Sequence, residues 1–290
     1  MPRTILKFGH KLQIMVKLGD YNILRVVKRV DFGIYLDGGD DGEILMPNRY
    51  VPQDVEVNDD LNVFIYLDSE DRLIATTEQP KAKVGDFALL QVTAVNLVGA
   101  FLDWGLVKDL MVPFREQKMK MEPGQQHVVY IYVDEDTNRI VASAKLDQFL
   151  DNVAPTYKEG DEVQLMVVSK TELGYKVIVN GLHWGMVYAN EVFKPLHKGD
   201  CLTGYIKKVR DDDKIDVSLQ KPGYARVDSL QEQILDKLRS NNGFLPVNDK
   251  TDAQVIYDLF GCSKKSFKMT IGTLFRLRQI TIEPDGIKLV

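Results

Sequence analysis

Three tandem five-stranded β-barrels, followed by a small α+β domain of three helices and a β-hairpin, are the fold that this 290-residue sequence predicts. Three observations carry that reading. The stretch Gly19-Asp20-Tyr21-Asn22-Ile23-Leu24-Arg25-Val26 returns 66 residues later, without a gap, as Gly85-Asp86-Phe87-Ala88-Leu89-Leu90-Gln91-Val92, and internal repetition outranks any single motif. Within each copy, short runs of Val, Ile, Leu and aromatics are separated by Gly or Asp turns, the pattern of a small antiparallel domain. After Gly223 the apolar spacing changes to three and four, the period of helices.

The first two copies close alike. Val63-Phe64-Ile65-Tyr66-Leu67-Asp68 with Arg72-Leu73-Ile74-Ala75 mirrors Val129-Tyr130-Ile131-Tyr132-Val133-Asp134 with Arg139-Ile140-Val141-Ala142. A third copy opens at Gly160-Asp161 and ends at Ile215-Asp216-Val217-Ser218-Leu219. Each Gly-Asp reads as the turn before a first strand, and the Asp-x-x-x-Arg spacing as the last hairpin. About five strands fit in ~70 residues; closing them into a barrel removes exposed edges, and the oligonucleotide-binding barrel is the usual five-stranded solution. Between the second and third copies, Lys145-Leu146-Asp147-Gln148-Phe149-Leu150 predicts a short connecting helix.

Beyond the linker Lys221-Pro222-Gly223, Val227, Leu230, Ile234, Leu235 and Leu238 predict a first helix that breaks at Asn241-Asn242-Gly243. Thr251 to Phe260 predicts a second, capped by Asp249 and stopped by Gly261. A third opens at Ser263 with Phe267, Ile271, Leu274 and Phe275 on one face. Ile280-Thr281-Ile282-Glu283 and Ile287-Lys288-Leu289, joined through Asp285-Gly286, read as a hairpin, and three helices with a hairpin are the layout of a winged helix. The expected boundaries are 1–79, 80–145 and 158–221 for the barrels, 146–157 for the linker helix and 224–290 for the winged-helix domain.

Composition is that of a globular chain, 44% apolar and 27% charged. No apolar run approaches the ~20 residues of a membrane span, and the opening Met1-Pro2-Arg3-Thr4-Ile5-Leu6-Lys7 lacks a secretory apolar stretch, so a cytoplasmic protein without membrane contact is expected. Cys201 and Cys262 lie far apart, with no CxxC partner, and suggest neither a disulfide framework nor zinc. The net charge is −5, but residues 221–290 hold 11 Lys/Arg against 8 Asp/Glu, leaving 26 against 34 in the rest. The last segment is therefore basic within an acidic chain, which favours a local phosphate-binding patch over a coating of nucleic acid.

Asp31-Phe32-Gly33-Ile34-Tyr35, Val98-Gly99-Ala100-Phe101 and Leu173-Gly174-Tyr175, with Gly185-Met186-Val187-Tyr188-Ala189-Asn190-Glu191 and the Ser218-Leu219 ending, resemble the S1 RNA-binding domain three times over. Gly99-Ala100-Phe101-Leu102-Asp103-Trp104-Gly105-Leu106-Val107-Lys108-Asp109-Leu110 and Ser263-Lys264-Lys265-Ser266-Phe267-Lys268 are similar to the bacterial conserved virulence factor B family over nearly the whole chain. That resemblance implies three S1 domains and a winged helix, RNA binding and regulation of gene expression. The first two copies depart from the S1 pattern: Pro47 and Pro113 stand where a stacking His or Tyr belongs.

Single-stranded nucleic acid is held by bases stacked on aromatic faces while cations follow the phosphates. The stacking candidates are Phe32 and Tyr35, Phe101 and Trp104, and Tyr175 and Tyr188; Phe32 and Tyr35, three apart, are expected on opposite strand faces. The third copy adds Lys176, Lys207, Lys208 and Arg210, with Lys207-Lys208 aligned to Ile65-Tyr66 and Ile131-Tyr132. Because the latter strands are apolar on both faces, the first two copies are expected to pack as a pair and the third to be the working surface. Lys264, Lys265, Lys268, Arg276 and Arg278, with no acid between Ser263 and Gln279, make the third helix a phosphate-binding face.

Catalytic patterns are absent: His10, His127, His183 and His197 lack metal spacing, and no nucleophile elbow or phosphate loop occurs. Asp40-Asp41 and Asp211-Asp212-Asp213 read as hairpin tips. The expectation is a non-catalytic regulator without metal or cofactor, contacting RNA, or DNA, through the third barrel and the winged helix. Its rivals are a protein-interaction scaffold on RNA-processing, transcription or translation machinery, and a metal-dependent nuclease.

Overall fold

The computed structural model describes residues 15–192, 195–220 and 225–290, with side chains of the helix that opens at Ala225 described from Leu230 onward. The chain start with His10, the linker Lys221-Pro222-Gly223 and the Val227 side chain lie outside the described residues. The chain divides into two compact units, Met1–Phe149 and Leu150–Val290.

The first unit holds two closed barrels. Barrel 1 is built from β1 (Tyr21–Val30), β2 (Gly33–Asp37), β3 (Glu43–Pro47), β4 (Asp60–Leu67) and β5 (Leu73–Thr76). Barrel 2 repeats it with β6 (Phe87–Val95), β7 (Gly99–Asp103), β8 (Leu110–Pro113), β9 (Gln126–Asp134) and β10 (Arg139–Ser143). In the second unit, barrel 3 comprises β11 (Glu162–Lys170), β12 (Gly174–Val179), β13 (His183–Tyr188), β14 (Cys201–Val209) and β15 (Ile215–Ser218). The third and fifth strands of each barrel pair in parallel and the other neighbours antiparallel, closing one sheet on itself. The long first strand bends through a bulge at one place in every copy, after Val26, Val92 and Val167, which supplies the extra twist that closure needs. The opening glycine of the second strand is dictated by the barrel wall. A Cβ on Gly33, Gly99 or Gly174 would lie 2.2, 2.3 or 2.1 Å from the carbonyl oxygen of Met46, Val112 or Val187.

The two-sided apolar character of β4 is explained by packing. Val63 and Ile65 enter the core of barrel 1, whereas Phe64 and Tyr66 point away from it into the core of barrel 2. Phe64 meets Trp104 edge to face at 5.9 Å. Polar ties close the seam: Lys83 pairs with Asp20 at 2.8 Å, Lys108 donates to the Asp68 carbonyl at 2.6 Å, and Arg139 pairs with Asp71. In β9 the equivalent second face is covered differently. Phe149 stacks on Tyr130 at 4.2 Å and leans on Tyr132, so the chain leaving barrel 2 does the work of a neighbouring barrel.

The C-terminal region is α1 (Ala225–Ser240), β16 (Phe244–Leu245), α2 (Ala253–Phe260), α3 (Lys264–Arg276), β17 (Ile280–Glu283) and β18 (Gly286–Leu289), with sheet order β16-β18-β17. Leu230, Ile234, Leu238, Ile256, Phe267, Ile271 and Leu274 form its core. Among the described residues no helix is long and apolar enough to cross a membrane.

Four local expectations are corrected. The connecting helix at 146–157 is only a 3-10 turn, Leu146–Gln148. Asp252, not Asp249, caps α2, its carboxylate accepting from the Gln254 amide at 2.7 Å; Gly261 does end it, in the left-handed conformation. Phe275 is exposed, because the apolar residues by which α3 reaches the core are Phe267, Ile271 and Leu274. The hairpin acquires a third strand, the two-residue β16.

Candidate nucleic-acid interface

The strand registers put the three barrels in exact correspondence. Gly33 faces Pro47, Gly99 faces Pro113 and Gly174 faces Tyr188. Tyr188 thus occupies the place of the two prolines. Counting from the glycines, Tyr35, Phe101 and Lys176 are equivalent and outward, while Ile34, Ala100 and Tyr175 are equivalent and buried. The expectation that Tyr175 offers a stacking face is therefore corrected: it belongs to the core of barrel 3.

In barrel 3, alternation along β13 turns His183, Gly185 and Val187 inward and Trp184, Met186 and Tyr188 outward. Asp216, paired with Met186 on the adjacent β15, anchors the outer edge. Tyr188 Oη donates to Asp216 Oδ1 at 3.1 Å, and Arg210 donates to both carboxylate oxygens, at 2.8 and 3.0 Å, while also contacting the Tyr188 hydroxyl. The Asp216 hydrogen bonds and charge raise the Arg210 pKa above its ordinary value. The ring is thus fixed from its polar end with its face left along a groove of about 470 Å³, lined by Leu173, Lys176, Trp184, Met186, Tyr188 and Arg210.

Lys176 holds its ammonium 3.5 Å from the centre of the Trp184 ring. Trp184 was not among the expected site residues; its alternation with Met186 and Tyr188 was the signal that could have found it. Lys207 is exposed and pairs with Glu191, whose hydrogen bond raises the lysine pKa and keeps it charged. Gly19, Gly85 and Gly160 donate to the carbonyls of Ile65, Ile131 and Ile206, so Ile206, not Lys207, matches the two isoleucines. Lys208, paired with Asp216, matches Tyr66 and Tyr132, paired with Ile74 and Val141, and Lys207 is the extra residue that a bulge inserts between Ile206 and Lys208. Lys208 is exposed beside Asp216. His183 is structural, its ring between the Tyr157 hydroxyl at 2.9 Å and the Val153 carbonyl at 2.8 Å.

The same face is altered in the first unit. Trp104, expected to stack, is 3% exposed and wedged in the seam, its indole N–H donating to the Lys108 carbonyl at 2.6 Å. Phe101 is half-buried in a cleft of about 460 Å³ that the β4–β5 hairpin of barrel 1 walls off, with Asp71, Lys108 and Arg139 tied across it. In barrel 1, Phe32 lies in the β1–β2 turn rather than in a strand, so it and Tyr35 do not point to opposite faces. They meet edge to face at 6.4 Å; Phe32 is exposed and Tyr35 half-buried, with the Lys28 ammonium 4.7 Å from the Tyr35 ring centre.

On α3, capped by Ser263, the residues Lys265, Lys268, Met269, Gly272, Thr273 and Arg276 form one exposed face, opposite the buried Phe267, Ile271 and Leu274. Lys264 donates to the Lys250 carbonyl at 3.3 Å. Although α3 carries no acid, Asp249 reaches Lys268 at 3.4 Å from the segment before α2. Arg276 bonds back to the Gly272 carbonyl at 3.4 Å and to Thr273, and Arg278 stands exposed just past the helix. Barrel 3 and α3 each concentrate their own cations. Among the described residues no group of three His, Cys, Asp or Glu is placed to hold a metal ion.

Comparison with known proteins places one domain model on barrel 1 and another on the C-terminal region. Residues 18–78 match the S1 domain model, and residues 232–289 match the CvfB-like winged helix domain. The uncharacterized protein YitL of Bacillus subtilis is 29% identical over 269 residues, covering 89% of each chain. Conserved virulence factor B of Staphylococcus aureus is 25% identical over 290 residues, covering 94% of each chain, and that of Staphylococcus saprophyticus is 23% identical over 282. A crystal structure of a multidomain protein with nucleic acid binding domains from Streptococcus pneumoniae is 23% identical and covers 94% of this chain and 98% of its own, at a TM-score of 0.41.

Proposed function

We propose that this chain, similar to conserved virulence factor B over most of its length, is a non-catalytic, cytoplasmic RNA-binding regulator of gene expression that grips RNA with barrel 3 and with α3 of the winged helix. One observation carries the reading. At the position where barrels 1 and 2 have proline, barrel 3 presents Tyr188, fixed by Arg210 and Asp216 beside Lys176 and Lys208. A ring held in place gives up little freedom on stacking, and neighbouring cations follow the backbone. Residues 264, 265, 268, 276 and 278 supply a second set of phosphate contacts, with Lys265 and Arg276 at the two ends of the exposed face of α3 and Lys268 between them. Barrels 1 and 2 are assigned a mainly architectural role, because packing has spent Trp104, Phe64 and Tyr66 on the seam.

The test is titration of a fluorescent single-stranded RNA at two salt concentrations. Binding that weakens steeply with salt and drops on Tyr188→Ala and on Lys265→Glu is expected. Absence of binding at low salt would favour a protein-interaction scaffold, the reading supported by Met269, Phe275 and Leu277, each more than half exposed around the same basic helix. Magnesium-dependent cleavage of the RNA would overturn the non-catalytic assignment.

A further inference from the structure

Trp184 stands where barrels 1 and 2 carry carboxylates. Counted back from Tyr188, Pro47 and Pro113, its counterparts are Glu43 and Asp109. Its cross-strand neighbour Ile178 is followed on the outer face by Lys176, which in turn replaces the aromatic Tyr35 and Phe101. Barrel 3 therefore carries its outward aromatic on β13 and a cation on β12, where barrels 1 and 2 carry an acid at the third strand and an aromatic on the second. Trp184 is half-buried, lines the same groove as Tyr188 and belongs to no buried core cluster. Both rings lie on the outward side of one strand, four residues apart, which at ~3.3 Å per residue separates them by about 13 Å. That is several times the roughly 3.4 Å between stacked bases of a duplex strand, so two bases on these rings cannot be stacked neighbours.

We propose that Trp184 is a second base platform, and that barrel 3 takes a single-stranded segment of at least three unpaired nucleotides: one base on Tyr188, one on Trp184, and a linking nucleotide over Met186. The Lys176 ammonium, which now covers the Trp184 ring, exchanges that face for a phosphate as the base arrives. Both platforms need bare base faces, which a duplex does not offer. The proposal rests on the RNA-binding reading and deepens it: it adds Trp184 to the residues that meet the strand and sets the least length of unpaired strand that barrel 3 takes.

The chain contains two tryptophans, and Trp104 is buried in the other unit, so a change of emission on RNA binding reports Trp184, over a constant signal from Trp104. The whole chain is titrated with an end-labelled single-stranded oligoribonucleotide, with label anisotropy and tryptophan emission followed together. Emission is expected to quench in step with anisotropy. Trp184→Leu is expected to abolish the quenching and weaken binding about tenfold, and Trp184→Phe to recover most of the affinity, since a phenyl ring still stacks. The difference between wild type and Trp184→Phe isolates the Trp184 signal even if the leucine variant does not fold. Anisotropy that rises with unchanged emission, with Trp184→Leu binding like wild type, overturns the platform and leaves RNA binding intact. Equal quenching by a blunt RNA duplex overturns the preference for unpaired strand. No anisotropy change at low salt removes the RNA-binding reading and the platform with it.

Discussion

On the proposed reading, one position separates the three barrels as base-stacking surfaces. Pro47 and Pro113 offer no aromatic face, whereas Tyr188 does, braced by Asp216 and Arg210. Truncating it to alanine is expected to weaken single-stranded RNA binding by about tenfold, in keeping with ~1–3 kcal/mol per stacked base, while the melting temperature barely moves, because the ring lies outside the core cluster. Binding assays and thermal denaturation on one preparation check both halves of that statement. The presence of Tyr188 was legible in the sequence, as were the three close-packed glycines. Which neighbouring aromatics face outward was not. Tyr175 was misassigned because the second strand begins at Gly174, which sends the next residue inward, and Trp104 because its fate depends on a barrel 66 residues distant in the repeat.

At the scale of elements, periodicity carried most of the information. The helices α1, α2 and α3, the terminal hairpin and the two-sided β4 all follow from where apolar residues recur. Elements too short to show a period were lost or overdrawn: β16, with two residues, was missed, and the three-residue 3-10 turn after barrel 2 was read as a longer helix. The bulge at Lys207 was equally invisible, since an inserted residue announces itself only through the partner strand. Two predictions belong here. Phe64→Ala should lower the stability of the first unit by about 3–5 kcal/mol in denaturant titration, because a fully buried ring leaves both its transfer energy and a cavity behind. On α3, Lys265→Ala should weaken RNA of any sequence alike and reduce the slope of log affinity against log salt by about one, the signature of one lost phosphate contact; an unchanged slope would remove α3 from the interface.

At the scale of the molecule, the first unit is an acidic pair of packed barrels, with 17 Lys/Arg against 23 Asp/Glu in residues 1–149. Within the first unit the two barrels are joined by a seam that is apolar at its centre and ionic at its rim. Burial disfavours the Asp20 carboxylate, but the Lys83 hydrogen bond and the Tyr21 amide outweigh it and bring its pKa below the ordinary value. Asp71 is lowered by its hydrogen bond to Arg139, with further help from Lys108. A carboxyl group whose pKa is lower folded than unfolded stabilises the fold above its unfolded pKa, near 3.9, and loses that contribution as pH falls through the folded value. Acidification below about pH 4 should therefore weaken the seam, whereas pH 5 to 8 should leave it untouched. Trp104, wedged in that seam, is the reporter: in a Trp184→Phe background its emission should follow the melting temperature of the first unit downward in acid, and Lys83→Met should flatten the dependence. RNA binding should not follow the seam, because the proposed contacts lie in the second unit. A fragment of residues 1–154, retaining both barrels and Trp104, is expected to melt with the same acid dependence yet to bind RNA far more weakly than the whole chain. If that fragment bound RNA as tightly as the full protein, the division of labour between the packed acidic pair and the rest of the chain would be reversed, and the walled cleft around Phe101 would become the site to explain.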